Sequence, residues 1–153
     1  MNNSTIQALV FASIVDTALQ NYGDAYNVGI DLTNISNMKR DTTTTNDTTT
    51  NEHNNHSSND IIDQSNIVNF TNYESALGFS NSALKKFYNE ISSIQSLTKE
   101  NNTTNQNYLT KLENGLVEFN NAIKNKEDPM KVMEIVHTKI HPNLQVLFNL
   151  KLN

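Results

Sequence analysis

The chain contains no cysteine. That absence excludes disulfides, thiolate metal sites and thiol catalysis, and it leaves the redox compartment open. Glycine is scarce, with four residues in 153, and none lies in a GxGxxG or P-loop pattern. Backbone cradles for phosphates or dinucleotides are therefore not expected. Arg40 is the single arginine among eleven basic residues, and the net charge is −5. No Lys/Arg cluster is present to displace counterions from phosphates, so nucleic acid is not an expected partner. No nucleophile elbow and no H-E-x-x-H occurs, and nothing singles out one serine, so an enzyme is not expected. Nor does any apolar run approach the roughly 20 residues that span a bilayer. The most apolar stretch, Ala8 to Val15, ends at Asp16 and has no basic residue before it. It reads as the start of a helix and not as a signal peptide.

What is present is helical periodicity. From Thr5 to about Asn37, the residues Phe11, Ile14, Val15, Ala18, Tyr22, Ala25, Gly29 and Leu32 share one side of a helix. Asp16, Asn27 and Asp31 fall on the other. Because the stripe keeps its phase across Gly23, one continuous helix of roughly 50 Å is expected, with Asn3 or Ser4 as its N-cap. Such a helix cannot bury its stripe alone and needs later segments as partners.

The apolar fraction, 36%, is below the usual level of roughly 45–50%, and the shortfall has a local cause. DTTTTNDTTTNEHNNHSSND, within residues 38–66, holds no apolar residue and cannot offset its own ordering entropy. A disordered Thr/Asn-rich crossover is expected there. Asn-X-Ser/Thr sequons recur, but 27 asparagines generate about that many by chance.

Periodicity returns at Thr71, where Thr71 and Glu74 have capping-box spacing. Tyr73, Leu77, Leu84, Phe87, Tyr88, Ile91 and Ile94 form a second stripe running to about Leu97. After a polar connection, Leu109, Leu112, Leu116, Phe119 and Ile123 form a third. Asp128-Pro129 then signals a new helix start. Val132, Val136 and Ile140 carry that helix to Pro142, where a kink or break is expected. The reading is an all-α four-helix bundle in a single domain over residues 1–153, with a long first helix and a Pro-kinked last one.

One stretch gathers ligand-type side chains. Met130, Met133, Glu134, His137 and His141 form a stripe beside Val132, Val136 and Ile140. Imidazoles four residues apart can share a metal ion, and Glu134 and His137 have the Glu-x-x-His spacing of carboxylate-bridged metal bundles. Soft thioethers would add a preference for Cu(I), so copper and iron are the ions to consider. The competing reading is structural: methionines fill gaps beside cores, and a histidine before a proline can cap carbonyls. There is no second Glu-x-x-His. Glu118 points away from its helix's apolar face, and only Glu113 sits near an edge. His53 and His56 lie in the polar crossover.

IVDTALQNYGDAYNVGIDLTNISNM, NYESALGFSNSALKKF and VMEIVHTKIHPNLQVLFNLKL resemble uncharacterised small helical exported proteins of ammonia-oxidising archaea. VHTKIHPNLQ is the most specific part, and the Thr/Asn-rich crossover is not covered. Through an NY-x-x-A pattern, the paired helices also look like the extracytoplasmic helical domains of some iron permeases. The first resemblance implies an archaeal origin, an exported or cell-surface location and a copper-dependent physiology. It implies no activity, so no catalytic residue carries over. The leading expectation is a non-enzymatic extracytoplasmic helical module that binds a protein partner or belongs to a surface assembly, with no cofactor. The alternative is copper or iron binding through Glu134, His137 and His141, with Met130 or Met133.

Overall fold

The computed structural model describes residues 1–42, 67–94, 97 and 103–152. Helix α1 spans Asn3–Ala25. Its cap is Asn2, one or two residues before the expected Asn3 or Ser4, and the Asn2 Oδ1 accepts from the Thr5 N–H at 2.8 Å. Ala8, Phe11, Ala12, Val15, Ala18, Leu19 and Tyr22 face inward with no more than a few per cent exposure. Their spacing of three and four residues is what a helix needs to bury one face.

The expected continuation to Asn37 does not occur. Asn27 takes the left-handed conformation at φ 53°. The Val28 N–H bonds the Gly23 carbonyl at 3.0 Å, and the Asn27 N–H bonds Asp24 at 3.1 Å. These paired bonds are the Schellman closure, and asparagine tolerates its left-handed position better than most residues do. The chain then folds back, so that Leu32 is buried at 1% exposure. A Cβ on Gly23 would lie only 2.8 Å from Leu32 Cδ1. The missing side chain is therefore the seat for Leu32. Gly29, counted on the continuous stripe, is exposed. Most of the expected disordered crossover, residues 43–66, lies outside the described residues; residues 38–42 belong to a 3-10 helix, Ile35–Thr42.

Helix α2, Phe70–Lys86, is capped by Asn69, whose Oδ1 accepts from the Asn72 N–H at 3.1 Å. The expected Thr71 capping box is displaced because Asn69 already has extended backbone and takes the donor two residues earlier. The Val68 and Asn69 N–H groups bond the Ala25 carbonyl at 2.8 and 3.1 Å, which places the start of α2 at the end of α1. A wide π turn, Phe87–Ile91, follows α2. The buried face is Tyr73, Ala76, Ser80, Ala83, Phe87 and Ile91, whereas Leu77, Leu84 and Ile94 are half-buried and Tyr88 is exposed.

Helix α3, Thr103–Lys124, closes with Lys126 left-handed and the Glu127 N–H on the Ala122 carbonyl. Asp128 then caps α4, Pro129–Ile135, by accepting from the Met130 N–H at 2.7 Å, as Asp128-Pro129 led one to expect. At Pro142 the disruption takes the form of a second π turn, Val136–Ile140, leading directly into α5, His141–Phe148. Proline lacks an N–H and crowds the carbonyl four residues earlier, so a widened turn lets the chain remain helical. The His141 N–H reaches back to the Val136 carbonyl, and the Asn143 side chain donates to Lys139 at 2.6 Å.

The described residues are all-helical and contain no strand. α1 lies along α2, α3 bridges α2 and the α4–α5 segment, and that segment returns to α1. Among the described residues, no helix is long and apolar enough to cross a membrane.

Candidate functional site

The π turn before Pro142 controls where two imidazoles go. His137 sits within it and His141 follows it, and each is only 4% exposed. The close approach of α3 holds the turn: a Cβ on Gly115 would meet the Lys139 Cβ at 3.1 Å and its carbonyl oxygen at 3.2 Å. Lys139 itself points outward and donates to Glu118 at 2.6 Å.

Both rings use Nε2 to reach other elements. His137 Nε2 lies 2.9 Å from the Leu32 carbonyl oxygen in the folded-back segment. His141 Nε2 lies 2.8 Å from Asp16 Oδ1 on α1. A carbonyl and a carboxylate only accept, so each Nε2 carries a proton, and in the neutral ring the lone pair is on Nδ1. Both Nδ1 atoms are buried and have no hydrogen-bond partner in the protein. The rings meet edge to face, with centres 5.3 Å apart and planes at 81°. Burial pushes the His137 pKa below its ordinary value, and the nearby His141 acts in the same direction; the Leu32 carbonyl opposes both. A neutral imidazole with an available lone pair is the form that binds metals.

The other candidate residues separate. Met133, one turn before His137, is fully buried, and Met130 is half-buried against the core. Glu134 is exposed and lines a surface hollow with Glu118, Lys131, Ile135, Thr138 and Lys139. The structure therefore does not bring Glu134 together with the two histidines. His53 and His56 lie outside the described residues. Among the described residues, no three His, Asp or Glu side chains gather as a metal-holding group.

Two members of the site were missed by sequence reasoning. Asp16 fell on the polar side of α1, yet it is half-buried beside the inward face. A lone acid between the buried Val15 and Leu19 was the available signal. The Leu32 carbonyl left none, because a backbone acceptor is placed by the fold-back alone. No family model matches this chain, and neither a curated protein nor a solved structure matches it.

Proposed function

We propose that the protein is a non-enzymatic helical module, a four-helix bundle built from α1, α2, α3 and the α4–α5 segment, that binds one metal ion between His137 and His141. The carrying observation is the pair of buried Nδ1 atoms without a protein partner. Burying a polar atom unpaired costs about 1–3 kcal/mol, so a buried pair calls for an explanation. Histidines that ligate metals typically donate their second ring N–H to a carbonyl or carboxylate, which fixes the tautomer and ring orientation. Leu32 and Asp16 supply those two acceptors. A metal held about 2.0–2.1 Å from an imidazole nitrogen stands about 3.2 Å from the ring centre, so two rings at a tetrahedral to trigonal angle lie about 5.2–5.5 Å apart. The observed 5.3 Å suits that spacing.

The resemblance to exported archaeal helical proteins supports a location outside the cytoplasm, where the module would serve a protein partner or surface assembly. Calorimetric titration of metal-free protein with copper, zinc and iron ions tests the binding. Saturable uptake of one equivalent, lost in His137→Ala/His141→Ala, is expected. Uptake no tighter than in that double variant overturns the reading and leaves the histidines as a structural clasp.

A further inference from the structure

We infer that the ion is Cu(I), held by the Nδ1 atoms of His137 and His141 with the Met133 thioether as a third donor; this rests on the metal reading of the histidine pair. Three observations lead there. The first is the donor count. Structural zinc takes four ligands, and iron sites of this kind use carboxylates. Glu134 is exposed, and Oδ1 of Asp16 is engaged with His141 Nε2. No third His, Asp or Glu joins the pair among the described residues. A soft monovalent ion is satisfied by two imidazoles and a thioether.

The second is charge. Two neutral imidazoles and a thioether leave the ion's charge uncompensated at the ligands, in surroundings where unpaired charge is costly. One positive charge is balanced by the Asp16 carboxylate behind His141. A divalent ion would carry a second, with only the weaker field of Asp31 toward it. The third is Met133, which is fully buried and precedes His137 by four residues, as His137 precedes His141. Helical spacing puts the Met133 side chain on the face that carries His137, and thioether donors select Cu(I).

The test uses the full chain, metal-free and anaerobic. Cu(I) is supplied from a bicinchoninate complex, with Zn(II) and Fe(II) titrated separately. The protein is expected to withdraw one equivalent of Cu(I) from the chelator. Met133→Leu, which preserves volume and apolarity, is expected to weaken uptake by about tenfold or more, or about 1.4 kcal/mol. Copper K-edge absorption should show two imidazole nitrogens and one sulfur. Binding of Zn(II) or Fe(II) without Cu(I) overturns this inference while the histidine-pair reading survives. Cu(I) uptake unchanged in Met133→Leu, or a copper spectrum without sulfur, overturns the thioether assignment. Failure of all three ions to bind overturns both. Circular dichroism confirms that Met133→Leu is folded, so its loss of uptake is interpretable even if the histidine variants unfold.

Discussion

His141 Nε2 meets Asp16 Oδ1 at 2.8 Å across 125 residues of chain. The contact joins α1 to the start of α5. Together with the bond from His137 to Leu32, it ties the π turn to both α1 and the segment folded back from its end. The buried imidazoles are thereby oriented from outside the pair.

Two substitutions at Asp16 separate its charge from its role as acceptor. Asp16→Asn keeps an oxygen for the His141 N–H, whereas Asp16→Leu leaves that donor buried and unpaired. Asp16→Leu should therefore cost about 1–3 kcal/mol in urea unfolding of the metal-free protein, and Asp16→Asn clearly less. Asp16→Leu should weaken metal uptake by about 10–100-fold, as loss of an outer-shell partner does, whereas Asp16→Asn should weaken it less, through the lost charge alone. Equal stability of the two variants would show that the hydrogen bond is not made.

The parts of this architecture that were legible beforehand depend on local chemistry. The inward face from Phe11 to Tyr22 follows from periodicity, and Asp128-Pro129 marks a helix start because capping and a fixed φ act within one turn. Gly23 shows where local reading stops. The apolar phase runs on through Ala25 to Leu32, and both are buried. Leu32, however, reaches the core by folding back onto Gly23, so the same pattern serves two geometries. At the site, spacing placed His137 and His141 together. It also placed Glu134 with them, because the helical angle alone does not distinguish the buried edge of a stripe from its exposed one. The partner of Asp16 and the place of the Leu32 carbonyl depend on tertiary contacts, which no spacing encodes.

Gly115 and Gly78 both lie inside helices but should respond in opposite directions to alanine. At Gly78 a Cβ meets nothing within 4 Å, so Gly78→Ala should stabilise by about 0.5–1 kcal/mol through helix propensity and a less flexible unfolded chain. At Gly115 it meets the Lys139 backbone at 3.2 and 3.3 Å. Backbone yields less readily than a side-chain tip, so Gly115→Ala should destabilise by about 1–3 kcal/mol. It should also weaken metal uptake, because the displaced turn carries His137. Denaturant midpoints and the Cu(I) competition assay measure the two effects.

Asn120 is buried at 3% exposure and donates to Ser80 Oγ at 2.7 Å and to Asn81 Oδ1 at 2.8 Å, joining α3 to α2. Asn120→Ala removes both bonds and leaves a small cavity, and it should cost about 1–3 kcal/mol. Ser80→Ala should cost less, since Asn120 then keeps Asn81 as an acceptor. In a double-mutant cycle the pair should couple by at least about 0.5 kcal/mol. Additive losses would mean that Asn120 and Ser80 stabilise the interface independently.

Alkaline stability should depend on two tyrosines. Tyr22 donates to the Glu127 carbonyl and lies beside Tyr26, while Tyr73 donates to the Ile123 carbonyl at 3.0 Å. Burial pushes both phenol pKa values up, with the neighbouring tyrosines adding to the effect. An unfolded chain releases these protons near a pH of about 10. The native state holds them, so above that pH it binds more protons than the unfolded state. Stability is therefore full below about pH 10 and falls as pH rises, by about 1.4 kcal/mol per unit for each phenol kept protonated. Tyr22→Phe loses a hydrogen bond worth about 0.5–1.5 kcal/mol at neutral pH, yet it should flatten the alkaline limb. Urea midpoints from pH 8 to 11 compare wild type with Tyr22→Phe and Tyr22→Phe/Tyr73→Phe. Lysines titrate in the same range but are common to all three proteins, so the difference in slope isolates the phenols. Identical slopes would mean that Tyr22 ionises in the folded chain as readily as in the unfolded one, and would overturn the prediction.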